Sequence, residues 1–438
     1  MAIYNKVDLE EPIFGNRMAD RCGYAAPDPM YMMPGTGKDG NRITIPVGKQ
    51  LLSRHMLFLG GIGTGKTNAM NLFIRNTRGV MKENDVAIIF DTKGDFYKEF
   101  YRPGDIVISN DERATDGESA NYWNIFNEVM IDDRIEENIT EISKVLFSEK
   151  IDGSSQPFFP NAAKDLFAAM MLHIVRKEKL ANRRNNKSLR AYFDMLTPKL
   201  MMDVLAQHSD LKAMQSYIYD EKSGQTLGVL AELQQLVREI FIGNFKKDGT
   251  LSMRNIVKNK GGKVVFIEYD LGIGSMLTPI YRLLIDLAIK EALSRSKNDG
   301  DVYFFIDEFR LLPQLDHVDD GINFGRSLGT KFFIGIQNIN QIFDAYGENK
   351  GRSMLSGFGT TFSFKISDEP SRRFIKELSG RNIKKQTFMS SIQNQGVREQ
   401  LREAYVVEDA DIYNLRIGEA IVNTIQGEPF VFRFREYQ

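Results

Sequence analysis

The apolar positions of this chain fall into two patterns. Short continuous apolar runs recur at His55-Met56-Leu57-Phe58-Leu59, Val86-Ala87-Ile88-Ile89-Phe90, Asp105-Ile106-Val107-Ile108-Ser109, Lys263-Val264-Val265-Phe266-Ile267-Glu268-Tyr269, Val302-Tyr303-Phe304-Phe305-Ile306, 331–336 and 360–366. Such runs read as strands buried in a parallel sheet. From about 127 to 256 the period changes. Apolar residues recur at three and four, as at Ala163, Leu166, Phe167, Met170 and Met171, and the stretches 191–211 and 226–241 look alike. That period predicts an all-helical insertion. Helical patterns also cover 68–75 and 319–328, and strands at 419–424 and 429–434 close the chain. Strands alternating with helices predict a parallel sheet with helices on both faces. The expected organisation is a loosely ordered arm over 1–48, rich in Pro, Gly and charge; an α/β domain over 49–126 and 257–438; and an inserted all-α domain over 127–256.

Between the first apolar run and the first helical pattern lies Gly60-Gly61-Ile62-Gly63-Thr64-Gly65-Lys66-Thr67, followed by Asn68. Strand, glycine loop and helix are the context a phosphate-binding loop needs. The glycines let backbone N–H groups turn inward around an anion, and the new helix adds its positive end. In that reading residues 60–68 bind ATP, Lys66 reaches the β- and γ-phosphates, and Thr67 holds Mg²⁺. The run Val302–Ile306 ends in Asp307-Glu308. An Asp at a strand end beside the loop supports Mg²⁺, and the next Glu polarises a water for attack on the γ-phosphate. The acidic pair favours hydrolysis over phosphoryl transfer to a small molecule. Lys66 and Asp307 are 307 − 66 = 241 residues apart, too far for one βαβ step, so strands and an insertion intervene.

Composition adds limits. A chain of 438 residues with 42% hydrophobic content can bury a substantial core. No apolar run approaches a membrane span and no signal peptide is evident. Cys22 is the only cysteine, so no disulfide framework exists and a reducing cytoplasm fits. His55, His173, His208 and His317 are scattered singly and suggest no metal cluster; a lone His173 reads as a satisfied helix residue. The net charge of −1 argues against a broadly basic nucleic-acid binder, while leaving room for a ring with a basic channel. Local basic runs, Arg176 to Arg190 and Arg381 with Lys384 and Lys385, read first as solvated faces.

Several motifs together resemble the soluble motor part of the type IV secretion coupling proteins, the TraG/TraD-type branch of the HerA–FtsK superfamily. Asp91-Thr92-Lys93-Gly94-Asp95 is similar to that family's D-P-K-G-E, with Thr92 for Pro, and Trp123-Asn124-Ile125-Phe126 to its W-N-P-F, with Ile125 for Pro. Phe158 to Leu172 resembles the start of its all-α insertion. Phe305-Ile306-Asp307-Glu308-Phe309, Gly325-Arg326 and Gly335-Ile336-Gln337-Asn338 follow the order of its Walker B motif, G-R pair and glutamine sensor. The match runs from about Lys49 to Tyr437.

The resemblance implies an α/β, RecA-like P-loop NTPase fold with a mostly parallel sheet and an inserted all-α domain. It implies an ATP-driven, DNA-translocating hexamer that delivers single-stranded DNA, with or without an attached relaxase, to type IV secretion membrane components. Gln337 becomes the γ-phosphate sensor, and Arg326 a finger acting on a neighbouring subunit's nucleotide, with a surface salt bridge as its rival. Family members usually carry N-terminal membrane helices and this sequence shows none, so the expectation is a cytoplasmic protein, docked at the inner face of the membrane or relieved of its anchor. Two other functions compete: a soluble HerA-like DNA-processing motor, and a nucleotide-gated adaptor that recruits protein substrates.

Overall fold

Alternate side chains of a strand meet opposite layers, and in this protein that alternation divides the core in two. The computed structural model describes residues 7–110, 121–294, 300–389 and 397–438. Its strands are β1 (Val7–Gly15), β2 (Pro29–Thr36), β3 (Arg42–Gly48), β4 (Met56–Leu59), β5 (Val86–Asp91), β6 (Ile106–Ser109) and β7 (Lys263–Glu268). They continue with β8 (Val302–Ile306), β9 (Thr330–Ile336), β10 (Thr360–Ser363), β11 (Arg381–Met389), β12 (Val397–Tyr405), β13 (Glu419–Asn423) and β14 (Phe430–Phe434). Among the described residues one eleven-stranded sheet has the order β3-β2-β14-β13-β10-β4-β9-β8-β5-β7-β6. From β10 to β6 every pairing is parallel; from β3 to β10 every pairing is antiparallel.

Leu57, Leu59, Ile88, Phe90, Val265, Ile267, Phe304, Ile306, Phe332 and Ile334 face one layer, which is continuous with the core of the helical segment. Met56, Phe58, Ala87, Ile89, Val264, Phe266, Phe305 and Phe333 face the other, under the helix Lys66–Val80 and the N-terminal strands. Burial on both faces is why these strands read as unbroken apolar runs. Among the described residues no helix is long and apolar enough to cross a membrane.

Helices fill the chain from Ile125 to Asn259. The Trp123-Asn124 pair fastens the start of this segment to its end. Trp123 Nε1 donates to Glu128 Oε1 at 2.9 Å, and the same carboxylate accepts from Ser252 Oγ at 2.8 Å and from the backbone N–H groups of Met253 and Arg254. Asn124 caps the helix Ile125–Val129 through the N–H of Phe126. Asn186, fully buried, donates to the carbonyls of Trp123 and Phe245. A wholly buried Glu128 keeps its hydrogen bonds satisfied only while both ends of the segment stay together.

The structure corrects three expectations. Residues 29–48 are no loose arm: β2 and β3 form a hairpin that extends the main sheet, and Met33, Ile43, Ile45 and Val47 are buried beneath it. β1 pairs with β11 in a separate three-stranded sheet, β1-β11-β12. The stretch 191–211 is not one helix but two, Asn186–Asp194 and Pro198–Ala206. Thr197 caps the second through the N–H of Leu200 and Pro198 opens it, so a new helix start overrides the apolar period. The pattern at 319–328 is helical only over Val318–Phe324, continuing as a 3₁₀ turn, Gly325–Leu328.

Two histidines expected to stand alone meet in space: His173 Nδ1 and His208 Nε2 are 2.9 Å apart. His317 sits between Asp286, at 2.8 Å, and Glu141, at 3.5 Å. His55 is fully buried in a left-handed backbone conformation, φ 58°, at the entry to β4. Its Nε2 lies 3.0 Å from the carbonyl of Ile322 and its Nδ1 3.1 Å from the N–H of Phe332, so one neutral tautomer satisfies both. Burial lowers its pKa to about 4. The unfolded chain then binds the extra proton between about pH 4 and 6.5, and the stability His55 contributes above that window is lost as pH falls through it, by up to about 1.4 kcal/mol per pH unit. His55→Gln should flatten the dependence of the thermal midpoint on pH across this window. An unchanged slope would exclude His55 as the titrating group.

Candidate active site

The loop 60–67 links β4 to the helix Lys66–Val80 and is clasped from two sides. The N–H of Gly61 donates to the carbonyl of Lys365 at 3.0 Å, and the N–H of Gly418 donates to the carbonyl of Thr64 at 2.9 Å. Gly65 has φ 110°, and a Cβ there would lie 2.9 Å from the backbone of Gly418; both facts demand glycine. Ile62 stands at the tip, 84% exposed. Lys66 is only 8% exposed, and its ammonium donates to the carbonyls of Gly60 at 2.6 Å and Gly61 at 2.9 Å. Burial pulls its pKa below the usual lysine value, while the charges of Asp307 and Glu308 push it back up. Both side-chain groups of Asn68 are taken by the chain's C-terminal residues: Nδ2 donates to the carbonyl of Arg435 at 2.9 Å, and Oδ1 accepts from the N–H of Tyr437 at 2.7 Å. A cavity of ≈ 690 Å³ adjoins the loop there, lined by Gly65, Asn68, Gly418, Arg433 and Arg435 among others.

Opposite Lys66 stands the end of β8. Thr67 Oγ1 donates to Asp307 Oδ2 at 2.7 Å. Because β9 lies between β4 and β8, this bond passes over a neighbouring strand. Gly335 in β9 makes room: a Cβ at that position would lie 2.3 Å from the Asp307 carbonyl oxygen. Burial raises the Asp307 pKa, opposed by the Thr67 hydrogen bond and the Lys66 charge. Its other oxygen, Oδ1, is buried with no partner. The Thr67 hydroxyl and the Asp307 carboxylate that it bonds are the hard oxygen donors that Mg²⁺ takes, so the residues fit that ion. Glu308 is held by Gln337, whose Nε2 lies 3.0 and 3.2 Å from the two carboxylate oxygens, and by Arg310, whose Nε is 2.8 Å from Oε1.

The fold thus brings Lys66, Thr67, Asp307, Glu308 and Gln337 together. Arg326 it does not. Gln337 follows the last residue of β9, and Arg326 precedes the first, so the length of the strand, roughly 23 Å at 3.3 Å per residue, separates them. Arg326 is exposed on the 3₁₀ turn Gly325–Leu328 and makes no ion pair among the described residues. The salt-bridge alternative for it therefore finds no support.

Two residues at the site lacked a role on sequence grounds. Arg310 lies two positions past Glu308 and belongs to none of the motifs that the sequence offers. Lys93, within Asp91-Thr92-Lys93-Gly94-Asp95, stands where β5 emerges beside β8, and its charge acts on both Lys66 and Asp307. The motif's Asp91, 1% exposed, shapes that turn by accepting from the N–H groups of Lys93, Gly94 and Tyr97.

The family described as the type IV secretion-system coupling protein DNA-binding domain matches residues 41–432. The chain belongs to that family. Coupling protein TraD of Escherichia coli K12 is 22% identical over 377 residues, covering 84% of this chain and 49% of TraD. Coupling protein VirD4 of Bartonella henselae is 23% identical over 418 residues, covering 90% of this chain and 64% of VirD4. The chain thus spans between about half and two thirds of the length of these relatives. The conjugative coupling protein TrwBΔN70, in a trigonal form with sulphate, superposes with a TM-score of 0.71 at 17% identity, covering 100% of this chain and 96% of that one. TrwB in complex with ADP and Mg²⁺ gives 0.69 at 18% identity, covering 90% and 88%. This coupling-protein domain therefore has the α/β P-loop NTPase fold, with a large, mostly parallel sheet.

The crossing at Gly335 can be tested directly. Gly335→Ala should push Asp307 off the Thr67 hydroxyl, lowering the thermal midpoint through overpacking worth about 1–3 kcal/mol and weakening Mg²⁺-dependent ATP binding. An unchanged midpoint and an unchanged Mg²⁺ titration of ATP binding would show that the strand tolerates a side chain there.

Proposed function

We propose that the chain is the ATP-driven motor of a coupling protein, translocating DNA or nucleoprotein toward a type IV secretion channel. The observation that carries the reading is the Thr67–Asp307 hydrogen bond with the orphaned Asp307 Oδ1 beside it, at the mouth of a phosphate loop in a family member. Residues 60–68 would cradle the phosphates of ATP through backbone N–H groups and the helix N-terminus. Lys66, freed from the carbonyls of Gly60 and Gly61, would turn to the β- and γ-phosphates. Thr67 and Asp307 would hold Mg²⁺, which when bound supplies a Lewis acid for the phosphate oxygens. Glu308 would take the proton of the attacking water. Gln337, bonded to Glu308, is placed to exchange that carboxylate for a γ-phosphate oxygen and so report the nucleotide state. An intact Asp307-Glu308 pair argues against a non-hydrolysing adaptor.

Arg326 is too far from its own loop, so we assign it to the nucleotide of the next subunit in a homo-hexamer. Its planar fork suits the charge that develops on the transferred phosphoryl group. The segment 127–256 is proposed as an inserted all-α domain, and the membrane components of the secretion system as the docking partners at the inner face of the cell membrane. In the first basic run Lys177, Lys179, Arg183 and Lys187 form no ion pair among the described residues, while other members of the two runs are paired. Arg176 pairs with Glu136 and Asp210, Arg190 with Asp194, Arg381 with Glu403, and Lys385 with Glu399. DNA contact is assigned to surfaces formed on assembly, to which the unpaired cations of the first run can contribute.

ATP hydrolysis by the purified chain should rise with protein concentration and with added single-stranded DNA; a rate per chain indifferent to both would remove the motor reading. Lys66→Ala should abolish turnover, by a factor on the order of a hundred or more, with little change in apo thermal stability. Glu308→Gln should bind ATP and hydrolyse it poorly. Arg326→Ala should spare ATP binding and lose on the order of a thousandfold in hydrolysis. Mixing the last two chains creates interfaces with an intact Glu308 and an intact Arg326, and part of the activity should return. Co-assembly without any recovery would return Arg326 to a structural role.

A further inference from the structure

A guanidinium with unused donors stands beside Glu308. Arg310 Nε lies 2.8 Å from Glu308 Oε1, and this is the only ion pair that Arg310 makes among the described residues. The guanidinium forms no hydrogen bond among them, so its N–H donors remain available. The side chain is 54% exposed, and an exposed pair of this kind contributes little, so leaving it costs little. Gln337 Nε2, by contrast, bonds both oxygens of the same carboxylate, at 3.0 and 3.2 Å. Glu308 therefore stays oriented when Arg310 departs.

The backbone under Arg310 is fixed, although its side chain is not. Phe309 is 2% exposed and stacks on Tyr346, with ring centroids 5.7 Å apart and planes 10° from parallel. Tyr346 Oη donates to the carbonyl of Leu312 at 3.1 Å and accepts from the N–H of Leu315 at 3.3 Å. Arg282 Nη2 donates to the carbonyl of Gln314 at 2.7 Å. The turn Phe309–Leu311 is thus anchored, and a long side chain projects from it beside the catalytic carboxylate.

An attacking water must lie within hydrogen-bond reach of Glu308 and against the γ-phosphate. A guanidinium in contact with Glu308 is then one side-chain swing from the phosphate oxygens, with no backbone movement. We propose that Arg310 is a catalytic residue acting in its own chain: when ATP binds, it moves from Glu308 to the γ-phosphate. The proposal rests on the reading of this site as an ATPase. The γ-phosphate carries more negative charge than one carboxylate, and its oxygens match the guanidinium fork two at a time. The move has two effects. It frees Glu308 from a competing cation, and it places positive charge where the equatorial oxygens gather negative charge during transfer. The bond changes are those of hydrolysis. The water oxygen bonds to the γ-phosphorus, the bond from that phosphorus to the bridging oxygen of ADP breaks, and the water's proton passes to Glu308. Arg310 contributes charge and no atom. ADP has no γ-phosphate, so with ADP bound the arginine stays on Glu308.

Equilibrium binding of ATP and of ADP to the Glu308→Gln chain, where turnover is slow, reads the contact apart from the chemistry. Adding Arg310→Ala should weaken ATP binding about threefold to tenfold and leave ADP binding unchanged. In steady-state hydrolysis Arg310→Ala should lower kcat about tenfold to a hundredfold with a smaller change in KM, and Arg310→Lys should keep part of the rate. Action within one chain has a further signature. Arg310→Ala and Glu308→Gln chains, mixed, should show no more activity than the two measured apart, because no site then holds both side chains. Recovery in that mixture overturns the proposal. Faster hydrolysis by Arg310→Ala also overturns it, by making the arginine a restraint on Glu308, as does an equal loss of ATP and ADP affinity. The proposal and the reading beneath it fail separately. If Lys66→Ala loses ATP binding and turnover while Arg310→Ala changes neither, only the role of Arg310 falls. If Lys66→Ala binds and hydrolyses ATP as the parent chain does, both fall.

Discussion

The hydrogen bond from Thr67 to Asp307 is the constraint on which the rest of the arrangement depends. It joins residues 240 positions apart, and it runs over a third strand, β9, that lies between those it connects. For the two side chains to meet, β4 and β8 must keep their register against β9 to within a fraction of a residue, because a one-residue slip turns every side chain to the other face. The parallel ladder supplies that register: Met56 opposes Phe333, and Val302 opposes Thr330. Stacked rings lock it, Phe305 on Phe333 at 4.3 Å and Phe304 on Phe332 at 4.9 Å, one pair on each face of the sheet. Gly335 then removes the one side chain that would stand in the way.

What could be read from sequence follows from how strongly each feature declares itself locally. The glycine loop and the apolar runs ending in Asp307 and Gln337 are local signals, and each is found where its pattern places it. The bond between Thr67 and Asp307 is not local; only the sheet order puts β9 between them. The N-terminal residues read as an arm because Pro27, Pro29, Pro34 and the glycines dominate the eye. The alternation of Ile43, Ile45 and Val47, which marks a strand with one buried face, is short and carries little weight against them. The β11–β12 hairpin escaped notice because it is barely apolar. Its strands are held by the backbone ladder, with cross-strand ion pairs such as Arg381 with Glu403 and Lys385 with Glu399, and solvated pairs of that kind leave no hydrophobic period.

The helical segment shows the complementary case, a motif legible in sequence whose purpose appears only in three dimensions. Trp123-Asn124-Ile125-Phe126 was recognisable by resemblance alone. In the fold it is a clamp. Glu128 can be fully buried only because Trp123, Ser252, Met253 and Arg254 all donate to it, and these come from the two ends of the segment. The helices beyond the clamp share a continuous apolar core with one face of the sheet. A rigid attachment of this sort would let movement at the sheet's edge carry the helices along as a body, rather than dissipate in a flexible joint.

The position of Arg326 decides how such a chain could work as a machine. One end of β9 carries Gln337 against Glu308; the other leads back to Arg326. Closed active sites for phosphoryl transfer need positive charge on the side of the γ-phosphate away from the loop. This chain holds Arg326 a full strand length from its own loop, and a strand does not bend back on itself. On the proposed reading Arg326 serves another molecule's loop, and a copy of it from a neighbour serves this one. A donor surface and an acceptor surface on opposite ends make a head-to-tail contact, not a two-fold one, and repeated head-to-tail contacts close into a ring whenever the rotation between copies divides a full turn. Gln337 and Arg326 would then sit at opposite ends of the same stiff strand, one reading the chain's own nucleotide and the other its neighbour's, so that each β9 lies between two sites in the ring.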